Sequence, residues 1–226
     1  MVATLPGRTV GLGLITEQLL VDLEMTRSSY AELNLWATFL GALFLFGTGP
    51  ALDRSLRWTT TAVLAAFSGA VFWLAHLPGP GLLLTVLILT RGLGQSSLSL
   101  SAVAIVGKSF KKKLSTAMGV FAVATSLLFV AAIPSVDSLL GQLGWRKVWM
   151  ILAAVVLGIS LLVAFLIRDP QAQKSRGEDD QTTTGMPFRE ALRSTFFWVL
   201  TIGIGIYYFA FTGITLFSES LVVSLD

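Results

Sequence analysis

The chain has 226 residues, 54% of them hydrophobic and 13% charged, with a mean hydropathy of +0.77; soluble domains carry roughly 25% charged residues, so this is a composition for lipid rather than water. No cysteine and a single histidine exclude disulfides, thiolate nucleophiles and thiolate metal sites, and no metal or other cofactor is expected. The net charge of +3 does not point to nucleic acid, because the basic residues are spaced between apolar runs as membrane loops require.

The first segment, MVATLPGRTVGLGLITEQLL, is short and glycine-rich, and Arg8 and Glu17 interrupt the apolar core that a signal peptide would need. It reads as the back part of a first membrane helix that leaves the bilayer near Asp22. Six runs follow, each long enough for a bilayer core that takes about 20 mostly apolar residues: residues 31–52, 59–77, 81–107, 115–140, 147–168 and 196–218. Ser29 with Glu32 three positions later predicts a capping box at the start of the second helix. Trp36, Trp58, Trp73, Trp145 and Trp149 fall near predicted span ends, where an indole serves as an interface anchor. Residues 169–194 are a polar connection of mixed charge whose last part, MPFREALRS, makes an amphipathic approach to the next helix. The chain starts apolar at Met1 and stops at Asp226 just after a helix, so both ends are expected to be cuts. The expected fold class is an all-α membrane protein. It comprises a six-helix unit over residues 1–168 with its first helix incomplete, a central loop over 169–194, and a truncated seventh helix over 195–226.

If every run spans, the loops alternate between two sides. Eleven Lys and Arg then fall on one side, including Arg54, Arg57, Lys108 and Lys111 to Lys113, against Arg27, Arg146 and Lys147 on the other. That asymmetry makes loops 53–58, 108–113 and 169–194 cytoplasmic in a multi-pass protein of a bacterial-type inner membrane.

At the junction of the second and third spans stands GTGPALDRSLRW, in which Gly49, Asp53, Arg54 and Arg57 keep the order glycine, acid, base, base. An acid at a helix end beside two bases forms an ion-pair cluster that holds one conformation and releases it when a neighbouring helix end moves. The spacing resembles the signature loop of the major facilitator superfamily, which braces the cytoplasmic gate, with Leu56 and Trp58 standing where that pattern has a glycine and a further base. Further on, RGLGQSSLSLSAVAIVGKSFKKKLSTAMGV followed by GWRKVW is similar to the monocarboxylate and oxalate-formate branch of that superfamily. The resemblance implies two six-helix halves with a substrate site between them near the midplane. This chain would then supply one half, the central loop and the first helix of the other half, and the missing half would be needed for transport.

Arg8 and Arg91 lie inside predicted spans, about 21 Å and about 15 Å below the outer helix ends. An ionised guanidinium there costs at least ~2.5 kcal/mol unless it faces protein, water or an anion. Each arginine either braces neighbouring helices through backbone carbonyls or meets a solute. Tyr207 reaches a similar depth on the seventh helix, and the resemblance implies that helices one, four and seven line the central cavity. The substrate candidates are therefore Arg91 and Arg8, with Tyr207, Gln95 and Thr9 as hydrogen-bonding neighbours. A seven-helix photoreceptor would need a lysine in the seventh helix, and residues 196–226 contain none. An enzyme would need a nucleophile with its base, or paired carboxylates at one depth, and the spans offer neither. The expected partners are the lipid bilayer and a small anionic solute, with a coupling proton as a further candidate. The leading function is secondary transport of a small organic, monocarboxylate-like anion by alternating access. The alternatives are a nitrate- or nitrite-type inorganic anion transporter and a non-transporting truncated protein with a structural or regulatory role.

Overall fold

The computed structural model describes residues 2–110, 113–166 and 188–216. Lys111, Lys112, Arg168, the loop through residue 187 and residues 217–226 lie outside it, and so do the expectations that fall on them. Among the described residues all the regular structure is helical, as the apolar runs predict.

Helix α1 (Thr9–Asp22) ends where expected but begins late. The expected continuous first helix is instead a 3-10 turn over Val2–Gly7, an extended residue at Arg8 (φ −92°, ψ 156°), and then α1. Pro6 sits inside that turn and has no N–H to give to an α-helical ladder, and the Arg8 N–H is spent on the Leu5 carbonyl at 3.0 Å. Helix α2 (Arg27–Ala42) runs through Leu43 into α3 (Phe44–Arg54), a 28-residue span. Its cap differs from the Ser29–Glu32 box: Thr26 Oγ1 accepts from the Ser29 N–H at 3.2 Å. Because the helix starts at Arg27, Ser29 supplies the donor rather than the acceptor.

Helix α4 (Leu56–Ala75) leads to a composite 30-residue span, Pro80–Ser109. This span holds a 3-10 turn (Pro80–Leu82), α5 (Leu83–Thr90), a π-helical turn (Arg91–Ser97) and α6 (Leu98–Ser109). Helices α7 (Leu114–Leu143) and α8 (Trp145–Leu166) complete five spans long and apolar enough to cross a membrane. After α9 (Phe188–Arg193), helix α10 (Thr195–Leu216) packs on α1. The last expected run, residues 196–218, corresponds to this 22-residue apolar helix.

The bundle's firmest seam is α4 against α8. Leu64, Phe67, Val71 and Leu74 recur at helical spacing and are buried, as are Val148, Ala153 and Val156 opposite. Lipid gives no hydrophobic drive for helix pairing, so polar bonds matter here. Ser68 Oγ donates to the Ala153 carbonyl at 2.8 Å and Ser160 Oγ to the Thr61 carbonyl at 3.0 Å, one bond in each direction.

Two tryptophans expected to be interface anchors are core residues instead, because α8 turns them inward: Trp145 and Trp149 are buried, whereas Trp36, Trp58 and Trp73 are exposed. A one-residue turn at Gly144, with φ +77°, joins α7 to α8 and brings Trp145 and Arg146 over the ends of α1 and α4. Trp145 Nε1 donates to Asp22 Oδ2 at 2.8 Å, Arg146 Nε to the same oxygen at 3.3 Å, and Arg146 Nη1 to the Ala75 and Leu77 carbonyls at 3.2 and 3.0 Å. This cluster ties α1, α4 and α8 at one end of the bundle.

Three interruptions of regular helix meet at one depth: the extended Arg8, the junction at Leu43, and the π-turn. A Cβ added to Gly41 would lie 2.9 Å from the Gly92 backbone nitrogen, so α2 and the π-turn touch backbone to backbone. Phe44, just past the junction, covers Gly92. Irregular backbone is tolerated at membrane depth where protein surrounds it, and what it surrounds here is Arg91.

Candidate functional site

Arg91 opens the π-turn, roughly 17 Å along its span, and is 1% exposed. Its Nη1 donates to Thr9 Oγ1 at 2.8 Å and to Gln95 Oε1 at 2.9 Å, and its Nη2 donates to Asn34 Oδ1 at 2.6 Å. Thr9 comes from the start of α1, Asn34 from the middle of α2, and Gln95 from the next turn of the same span. The structure therefore brings together three of the sequence candidates, Arg91, Gln95 and Thr9, and adds Asn34.

The chemistry of this network lies in its partners' neutrality. All three acceptors are uncharged oxygens, and among the described residues the carboxylates that form ion pairs are Glu17, Asp22 and Asp53, none of them with Arg91. A guanidinium has five N–H groups. Three are used, and the Nε–H, buried, is without a partner among the described residues. Tyr30 adds a second orphan: its hydroxyl is buried beside Asn34 and Thr16, outside hydrogen-bonding geometry with either. Buried donors without a partner are rare in folded proteins. Gln95 is the half-buried member and so forms the rim of the network.

Asn34 is held in one orientation. Its Nδ2 donates to the Tyr30 carbonyl at 3.0 Å, which turns Oδ1 toward Arg91. The opposite flip would set two donors face to face at 2.6 Å.

Arg8 is not part of this network, although it precedes Thr9. Its Nε donates to Thr4 Oγ1 at 2.7 Å and its Nη2 to Ser99 Oγ on α6 at 2.9 Å, and the guanidinium lies over the Phe129 ring of α7 at 5.5 Å. Tyr207, 62% exposed, stacks on Phe211 at 6.0 Å and meets Tyr208 edge-on at 5.5 Å. An apolar groove of about 520 Å³ runs along α10, lined by Phe196, Phe197, Leu200 and Ile204 among others, and includes none of these polar candidates.

At the opposite end of the bundle from Asp22, the acid of GTGPALDRSLRW, which the structure places in the last turn of α3 rather than in a loop, has a base. Lys108 Nζ, in the last turn of α6, donates to Asp53 Oδ1 at 3.0 Å and to the Leu52 carbonyl at 2.8 Å. A cation on the free carbonyls of a helix C-terminus is favourable twice over, through hydrogen bonding and through the helix dipole. Arg57 lies over the Trp58 ring at 5.0 Å, Arg54 is exposed, and a Cβ at Gly49 would meet open space.

Sequence reasoning missed Asn34, Tyr30 and the Lys108–Asp53 pairing. Asn34 carried a signal, being an amide in the middle of an apolar run; Lys108 was counted only for its charge. Among the described residues no group of three acidic or histidine side chains could hold a metal. Compared with models of known families, the chain matches the one described as Major Facilitator Superfamily over residues 3–226. No curated protein matches it.

Proposed function

The chain belongs to the major facilitator superfamily, a family of membrane-embedded secondary transporters, and on that premise we propose that it serves transport of a small anion, organic and monocarboxylate-like, by alternating access. The reading rests on one observation: Arg91, buried at mid-span, is surrounded by neutral acceptors and keeps its Nε–H unpartnered. A buried cation without a counter-charge is costly, and a carboxylate solute would supply the charge and two acceptor oxygens in the planar geometry a guanidinium matches. The solute enters past Gln95 and accepts from the Nε–H edge of the guanidinium. Thr9 stays as a positioning contact, and Arg8 and Tyr207 border the approach from α1 and α10. Asp53, with Lys108, Arg54, Arg57 and Gly49, forms the cytoplasmic gate. The order of the Arg91, Gly-Gln and Gly-Trp-Arg pieces supports the monocarboxylate and oxalate-formate branch. Nitrate is the second cargo, because it too is planar and monovalent.

Competition uptake in cells expressing the protein tests this reading. Formate, acetate and lactate should compete with one another, nitrate more weakly, and the signal should vanish in Arg91→Gln. Saturable uptake of a neutral or cationic solute that persists in Arg91→Gln would reject it.

A further inference from the structure

Resting on the reading of Arg91 as an anion contact, we propose that Asn34 is the residue that sets the charge of the site, and that its amide keeps the guanidinium available to a solute. Asn34 Oδ1 makes the shortest of the three bonds to Arg91, 2.6 Å, and is held there by the Asn34 bond to the Tyr30 carbonyl. It is nearly as buried as Arg91 itself. A carboxylate at this position would be the partner that a buried guanidinium ordinarily requires. Asparagine supplies the hydrogen bond and withholds the charge. Thr9 and Gln95 do the same on Nη1, but each has a reason besides neutrality. Thr9 begins α1, and Gln95, one turn beyond Arg91 in its own span, lies at the rim. Asn34 comes from a different span, in the interior, with its orientation fixed.

The orphan donors sit next to it. Among the described residues Arg91 Nε–H and the Tyr30 hydroxyl have no hydrogen-bond partner, and both belong to residues bonded to Asn34. An anion accepting from them would lie beside the amide, where a carboxylate would repel it. Asn34 is therefore a positioning and specificity residue: it orients Arg91 and leaves the guanidinium charge to be met by a solute. With Asp at this position the site would be internally neutral and would reject anions.

The test compares the chain in lipid nanodiscs with its Asn34→Asp and Asn34→Ser variants. Thermal unfolding is followed in chloride-free buffer with increasing sodium formate and, separately, sodium nitrate. Asn34→Asp should melt above the wild type without anion, because the buried cation gains its counter-charge, and should lose the anion-induced rise by at least about ten-fold in apparent affinity. Asn34→Ser, a neutral acceptor that reaches less far, should keep a saturable rise weakened only about three-fold. An Asn34→Asp variant that melts below the wild type, or that keeps the wild-type anion response, overturns the proposal. Equal loss in Asn34→Ser overturns it too, since the role would then be packing rather than charge. A wild-type chain that answers neither anion contradicts the anion reading itself, an outcome distinct from the others.

Discussion

At Arg91 the type of cation matters as much as its charge. The side chain reaches Thr9 on α1, Asn34 on α2 and Gln95 one turn beyond it with two nitrogens of one planar group. A lysine ammonium has three donors on a single atom and cannot span those acceptors while leaving a fork for a solute. Arg91→Lys should therefore insert normally and weaken anion binding by about ten-fold or more, as measured by calorimetric titration with formate. Wild-type affinity in the lysine variant would mean that charge alone is recognised. Arg8 should behave differently, since its bonds to Thr4 and Ser99 and its place over Phe129 join α1 to α6 and α7. Arg8→Lys is expected to lower the melting temperature more than it lowers anion affinity.

Among the helices, the geometry around Arg91 depends on two backbones meeting. At Gly41 an added methyl would press on the Gly92 backbone nitrogen, which cannot swing aside as a side chain can. Gly41→Ala should therefore destabilise the bundle by about 1–3 kcal/mol, read from denaturation in detergent, and should weaken anion binding by shifting Asn34 from Arg91. The proposed gate offers a kinetic counterpart. Asp53→Asn removes the charge that Lys108 meets at 3.0 Å but leaves the Lys108 bond to the Leu52 carbonyl, so turnover should slow several-fold while substrate affinity holds; an unchanged rate at normal expression would remove Asp53 from the gate. The helices themselves were legible from hydropathy, because a 20-residue apolar run in lipid has one way to satisfy its backbone. The interruptions were not. Pro6 marked a break before Arg8, but a π-turn at Arg91 arises from packing against α2, and no local pattern in RGLGQSS announces an extra residue in the turn. Thr26 took the cap from Ser29 because the helix starts earlier than its apolar run.

Across the whole molecule, depth in the membrane singles out Arg91 but not its company. Arg91 and its Thr9 and Gln95 neighbours follow from position and spacing. Asn34 lies 57 residues from Arg91 in sequence and meets it only because Gly41 and Gly92 let two spans close. The inward turn of Trp145 and Trp149 likewise depends on Gly144, whose positive φ sets the direction of α8. If, as we propose, the solute is held between two six-helix halves of which residues 1–168 form one, the 226 residues alone should bind an anion in nanodiscs without moving it across a liposome wall; uptake by the purified chain would contradict that proposal. The charge asymmetry of the loops predicts that a cysteine placed at position 113 is labelled only from the cytoplasm, an outcome that labelling of intact cells would reverse if the orientation were wrong. The central claim is that a buried, counter-charge-free Arg91 receives an anionic solute, and calorimetric titration of formate into the chain in nanodiscs, with Arg91→Gln beside it, tests it most directly. The account predicts saturable binding to the wild type and none to a folded Arg91→Gln variant, and equal binding to both would contradict it.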